Sequence, residues 1–196
     1  MCSREQIQAI GQEIRRWGLK NVVVDTVMAS TSGTRFLKEQ ARDALKKELL
    51  PLARLVTPNL REAELLSDME IRCREDMERA ARRMSEFFGT AVLLKGGHLQ
   101  GEAADVLSED GKETWFVQER LENPNTHGTG CTLSAAIACH LAAGETLKAA
   151  VSHAKTYLTE AIRAGLNLGR GNGPLHHMWG FSEEDLFSRA RPGTDK

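Results

Sequence analysis

An α/β fold, with a mostly parallel central sheet flanked by helices, is predicted by three observations. Short runs without polar alternation, Asn21-Val-Val-Val-Asp25, Leu55-Val-Thr57 and Ala91-Val-Leu-Leu-Lys95, suit strands buried on both faces of a parallel sheet. Amphipathic segments of helical period stand between them. The pattern then changes: Asp105-Val-Leu-Ser and Glu113-Thr-Trp-Phe-Val-Gln118 flank Asp110-Gly111, the signature of a type I′ hairpin. An antiparallel edge from Asp105 to Gln118 is expected.

The helices follow from caps and periodicity. Ser3 and Gln6 make a capping-box pattern, Ile7, Ile10, Ile14 and Trp17 mark one face, and Gly18 stops the helix. Phe36 to Leu50 and Leu60 to Ser67 are helical in period, and Asp76 to Phe88 carries Met77, Ala80, Ala81, Met84, Phe87 and Phe88 on one side before Gly89. Two long helices close the chain, Thr129 to Ala143 and Thr146 to about Ala164, the second with Leu147, Ala150, Val151, Ala154, Leu158, Ala161 and Ile162 on its buried stripe. Residues 1–181 read as one domain, the C-terminal part of a larger fold, and residues 182–196 as a polar tail. No internal repeat or low-complexity block interrupts them.

A chain of 196 residues with 41% hydrophobic and 27% charged residues has the apolar content for a folded domain, which excludes disorder. A net charge of -1, with Lys and Arg interspersed among Glu and Asp, gives no footprint for nucleic acid. Neither a signal peptide nor a long apolar run is found, so no membrane association is expected and the reading is cytoplasmic. Cys2, Cys73, Cys131 and Cys139 show no CxxC spacing, which argues against a zinc ribbon or a disulfide framework. His127, His140, His153, His176 and His177 lack the spacing of a known metal site, so surface or core roles are expected for them.

The most informative segment is Asn125-Thr-His-Gly-Thr-Gly-Cys-Thr-Leu-Ser-Ala-Ala136, a loop turning into an alanine-rich helix. Gly128 and Gly130 let the backbone bring N–H groups close to a ligand, and the helix opening at about Thr129 adds unpaired donors and the positive end of its dipole. Phosphate is the expected guest. Cys131 falls in the first turn, where the same field favours thiolate, so it is a candidate nucleophile or base. A structural reading stands beside this one, with the glycines shaping a helix entry and Cys131 a small buried residue.

Polar residues end three predicted strands: Asp25, Thr57 and Lys95. Ligands of open α/β sheets bind beyond those ends. Asp25 and Glu62 are therefore candidates to hold Mg²⁺, usually through water, while Lys95 and the loop from Gly128 to Cys131 take the phosphates that the metal bridges. Asn59 and Glu62 equally have the spacing of a capping box, Asp25 that of a turn cap, and Lys95 that of a solvated strand end.

In one order, Val24-Asp-Thr-Val-Met28, Thr57-Pro-Asn-Leu-Arg-Glu62-Ala, Leu94-Lys-Gly-Gly-His98 and the segment from Asn125 to Ala136 resemble the hydroxymethylpyrimidine and phosphomethylpyrimidine kinases of thiamine biosynthesis, of the ribokinase-like superfamily. The resemblance runs from about Ser3 to Gly180, and Gly171-Asn-Gly-Pro-Leu-His-His177 looks like that family's C-terminal signature. It implies transfer of the ATP γ-phosphoryl group to 4-amino-5-hydroxymethyl-2-methylpyrimidine and then to its monophosphate. It further implies Cys131 as general base, with Gly128, Thr129 and Gly130 as the anion hole. Asp25 and Glu62 match metal-associated positions. Lys95, Thr57, Asn125 and His127 are expected at the nucleotide, and Val27, with Cys131, at the pyrimidine.

The family's opening strand and glycine-rich Ala-Gly-x-Asp-x-Ser-Gly-Gly-Ala-Gly segment do not occur ahead of Asn21. The expectation is a missing part of the substrate side, with no measurable kinase activity for the chain alone. Uncovered sheet and helix surfaces imply a homodimer or other self-association. Two alternatives share the same motifs: a pyridoxal or pyridoxine kinase, and an inactive nucleotide-binding remnant serving as an interaction subunit.

Overall fold

The computed structural model describes residues 3–28, 39–97, 103–121, 123, 128–166, 168 and 173–181. Its first helix, α1 (Arg4–Trp17), begins at the expected capping box, with Ser3 accepting from the Gln6 N–H, and ends where Gly18 turns left-handed. Strand β1 (Val23–Val24) follows. The helical run predicted from Phe36 is described from Glu39, as α2 (Glu39–Ala44), a π-helical turn (Leu45–Leu49) and a 3₁₀ turn (Leu50–Leu52). Pro51, lacking an N–H, sits where the wider turn gives way to the tighter one. Then come β2 (Leu55–Val56), α3 (Leu60–Ser67), α4 (Arg74–Phe88) and β3 (Ala91–Lys95). The hairpin β4 (Ala103–Glu109) and β5 (Lys112–Gln118) is followed by α5 (Thr129–Ala142) and α6 (Leu147–Ala164).

Among the described residues the strands form one sheet in the order β1-β2-β3-β4-β5. The pairs β1·β2 and β2·β3 are parallel, whereas β3·β4 and β4·β5 are antiparallel, so the described sheet is mixed. The hairpin lies where expected, two residues longer at its start, and turns through left-handed Asp110 (φ 50°) and Gly111 (φ 72°), the type I′ geometry.

Strand alternation divides the core. Val56, Val92, Leu94 and Val106 face a cluster built with α1 to α4, while Leu55, Ala91, Leu93 and Leu107 face Leu133, Ile137 and Leu141 of α5 and Leu147, Ala150, Val151 and Ala154 of α6. The period of two carries this division past the strand ends. Asp25 continues the face of Val23, Thr57 that of Leu55, and Lys95 that of Leu93. All three therefore emerge on the α5 side of the sheet.

No helix among the described residues is long and apolar enough to cross a membrane. Residues 182–196 lie outside the described residues.

Candidate active site

Asp25, Thr57 and Lys95 meet as their shared face requires. Lys95 Nζ donates to Asp25 Oδ1 at 2.9 Å, and the Thr57 hydroxyl donates to the same oxygen at 3.2 Å. The ion pair is largely enclosed, its side chains 16% and 15% exposed, and Thr57 is fully buried. The backbone of Lys95 is fixed as well, its N–H donating to the Pro58 carbonyl at 2.8 Å.

The first turn of α5 closes over this pair. Gly128 caps the helix at φ 83°, a conformation that disfavours any residue with a Cβ. The Thr132 N–H reaches the Gly128 carbonyl at 2.9 Å, which leaves the N–H groups of Thr129, Gly130 and Cys131 without an intrahelical partner. Gly130 lies directly over the carboxylate and ammonium: a Cβ there would stand 3.4 Å from Lys95 Nζ and 3.5 Å from Asp25 Oδ2. Cys131 is exposed, rather than the buried apolar residue of the structural reading. One anion-seeking helix end, one ammonium, one carboxylate and one accessible thiol thus share one end of the sheet.

Glu62 is held differently. Its Oε2 accepts from the Asn59 N–H at 2.9 Å and the Thr26 hydroxyl at 3.0 Å, while Oε1 accepts from the Met28 N–H at 3.4 Å. Asn59 returns the bond to the Glu62 N–H at 3.0 Å, so the capping box is formed. Glu62 is buried, and desolvation pushes its carboxyl above the ordinary range, against the opposing pull of the Asn59 N–H, Lys95 and Thr26. It fastens the segment after β1 to the start of α3. Val27, on that segment, is 49% exposed between buried Thr26 and Met28. Asn125, His127 and His98 lie outside the described residues.

Two further residues, not singled out by sequence, support Lys95. Asp105 lies opposite Lys95 in the β3·β4 register; its Oδ1 accepts from the Gly96 N–H at 2.9 Å and its Oδ2 from Lys155 Nζ at 2.5 Å. Lys155 stands beside Ala154 on the buried stripe of α6, and a lysine at that position was the available signal. Gly96 itself is packed so closely that a Cβ would fall 2.2 Å from the Ala104 carbonyl oxygen.

Two of the histidines have the surface placement expected of them, and they share a partner. His140 and His153, which sequence spacing keeps apart from any metal pattern, meet Glu145 across the α5–α6 connection.

The phosphomethylpyrimidine kinase family model matches residues 1–176. The chain belongs to this family. It is 50% identical over 179 residues to a hydroxymethylpyrimidine/phosphomethylpyrimidine kinase of Rhizobium meliloti, covering 89% of this chain and 67% of that one. It is 44% identical over 190 residues to the thiamine biosynthesis bifunctional protein ThiED of Geobacter sulfurreducens, covering 96% of this chain and 38% of that one. Among solved structures, an ADP complex of Bacillus subtilis pyridoxal kinase superposes with a TM-score of 0.80 at 34% identity, covering 90% of this chain and 66% of that one. The chain thus spans only part of the length of each relative. The ribokinase-like α/β fold and membership of a kinase family agree with the reading of the sequence.

Proposed function

We propose that the chain carries the nucleotide and phosphoryl-transfer half of a kinase that uses ATP to phosphorylate 4-amino-5-hydroxymethyl-2-methylpyrimidine and then its monophosphate, in thiamine biosynthesis. The observation that supports this most is the convergence of Lys95, Asp25 and the first turn of α5. An ammonium and three N–H donors suit phosphate oxygens. A carboxylate beside them would repel an anion, unless a cation lies between the two.

The donor set suits Mg²⁺ in that respect. Asp25 Oδ2 faces the α5 turn while Oδ1 is occupied by Lys95 and Thr57, and a metal there would neutralise charge on the transferred group. Glu62, with three donors on its oxygens, would act on such an ion through water and by holding Thr26 and Met28. Thr57 spends its hydroxyl on Asp25, so its part is to orient that carboxylate. Asn125 and His127 are proposed at the nucleotide, and the exposed side chain of Val27 as a wall for the pyrimidine.

In this reading Cys131 Sγ takes the proton of the substrate hydroxyl as its oxygen bonds to the γ-phosphorus and the bond to ADP breaks. The N–H groups of Thr129, Gly130 and Cys131 hold the oxygens on which charge accumulates. A thiol suits the second step, because an uncharged or weakly basic side chain tolerates an incoming phosphate better than a fixed carboxylate. Self-association belongs to the same proposal. β1 is one of the two outer strands of the described sheet, and Ile10 and Trp17 of α1 are exposed.

The test is ADP release with the pyrimidine, its monophosphate and pyridoxal as acceptors, beside size-exclusion chromatography. In a chain extended to the full length of its relatives, Cys131→Ala should lower the rate by about 10²- to 10⁴-fold while leaving ATP binding nearly intact. Near-normal turnover in the variant removes Cys131 from the mechanism. Preference for pyridoxal supports the second reading, which the likeness to the Bacillus subtilis pyridoxal kinase favours.

A further inference from the structure

Far from the phosphate end, α5 finishes beside a cluster that the proposed kinase reaction does not use. His140 stands in the last turn of α5, Glu145 in the connection, and His153 in the second turn of α6. His140 Nδ1 lies 2.8 Å from Glu145 Oε1 and His153 Nδ1 lies 2.8 Å from Glu145 Oε2, with the two rings 5.3 Å apart at 55°. One carboxylate therefore draws both imidazoles toward a single point. We propose that His140, Glu145 and His153 form a binding site for a transition-metal cation of the zinc type, which clips the end of α5 to the start of α6.

The geometry carries the proposal. One donor atom from each residue lies within 4.8 Å of the other two. A tetrahedral zinc ion with ligand bonds of about 2.0–2.1 Å sets its donors about 3.3 Å apart, inside that span, so small side-chain rotations seat the ion. Two imidazoles and a carboxylate select zinc, copper or nickel over magnesium or calcium. Three protein ligands leave a fourth position for water, as their partial exposure requires.

The backbone at the cluster is fixed before any ion arrives. The Glu145 N–H donates to the His140 carbonyl at 3.2 Å, Gly144 turns at φ 88°, and the Thr146 side chain accepts from the Ala149 N–H to cap α6. Both histidines thus ride on packed helices, and the carboxylate sits on a short connection pinned at both ends. Such placement lowers the ordering cost of binding. At about 1.5 Å per residue, His140 lies about 18 Å along α5 from Gly128, so the ion of this cluster is structural rather than catalytic.

Calorimetric titration with zinc chloride tests the site, comparing the unaltered 196-residue chain with His140→Asn/His153→Asn and with Glu145→Gln. The expected result is one zinc equivalent fewer in the double variant and a weakened one in Glu145→Gln. Added zinc should raise Tm most in the unaltered chain, less in Glu145→Gln and not through this site in the double variant. These side chains are partly exposed, so both variants should fold, and far-UV circular dichroism checks that they do. Cobalt(II) added to the unaltered chain gives a readout independent of the variants, through ligand-field bands of a four-coordinate nitrogen and oxygen site. Equal zinc uptake in all three proteins, or a cobalt spectrum matching the aqueous ion, overturns the proposal and leaves the cluster an ion pair with its two hydrogen bonds.

Discussion

Lys95 and Asp25, at the ends of strands separated by β2, form an ion pair of 2.9 Å beneath the first turn of α5. Both side chains are largely enclosed, and the Lys95 N–H is held by the Pro58 carbonyl. Lys95→Met should therefore leave Asp25 with only Thr57, destabilising the fold by about 1–3 kcal/mol as a polar group loses its partner. It should also weaken nucleotide binding. Urea denaturation and nucleotide titration measure the two effects, and an unchanged midpoint would show that the carboxylate is solvated without its lysine.

Glu62→Gln addresses the capping box. An amide keeps one acceptor where three donors converge, so a loss of about 1 kcal/mol is expected. The pH dependence gives a second check. Burial raises the Glu62 carboxyl in the folded state, which then binds more protons than the unfolded chain between the ordinary and the raised values. Its contribution to stability consequently falls as pH rises through that window. The difference between the Glu62→Gln variant and the unaltered protein should shrink across it, as read from denaturation midpoints at a series of pH values; a difference that grows would reverse the sign of the shift.

Gly96 and Gly97 differ sharply despite being neighbours. A Cβ on Gly96 would meet the Ala104 carbonyl oxygen at 2.2 Å and Met77 Cε at 2.7 Å, whereas nothing lies within 4 Å of one on Gly97. Gly96→Ala has to push β3 from β4, and a cost at or above the top of about 1–3 kcal/mol is expected. Gly97→Ala should stay within about 0.5 kcal/mol. Comparable thermal midpoints for the two variants would contradict the packing at Gly96.

Much of this was legible in the residues. Unalternating runs located β2 and β3, the Asp110-Gly111 dipeptide set the hairpin, and the capping pairs at Ser3 and Asn59 set two helix starts to the residue. Asp25, Thr57 and Lys95 were singled out because ligands of open α/β sheets bind beyond the strand ends, and the structure brings the three side chains together. The π-helical turn at Leu45–Leu49 was not foreseen, since its side-chain pattern differs little from that of an α-helix. The His140–Glu145–His153 cluster was also missed: its ligands become neighbours only when α5 and α6 pack, and local spacing does not record that. Glu62 was ambiguous for a related reason, because a capping carboxylate and a metal-associated one have the same sequence.

The pair Asp105–Lys155 links the core of α6 to the position of Lys95. Both side chains are nearly enclosed, at 9% and 7% exposure, and Asp105 also holds the Gly96 N–H directly after Lys95. Lys155→Met would leave a buried carboxylate without its cation, and Asp105→Asn a buried cation without its anion. Each should destabilise the fold by about 3–5 kcal/mol. Combining them removes both unmatched charges, so the double variant should be more stable than the sum of the single losses predicts, by a coupling of about 0.5–3 kcal/mol. Both proteins keep an oxygen for the Gly96 N–H, but only Lys155→Met leaves a buried, unpaired carboxylate that is driven to turn away from it, so the double variant should also bind nucleotide better than Lys155→Met alone. A denaturation cycle with nucleotide titration on all four proteins measures this. Additive losses with unchanged nucleotide affinity would show that the pair packs α6 without positioning Lys95.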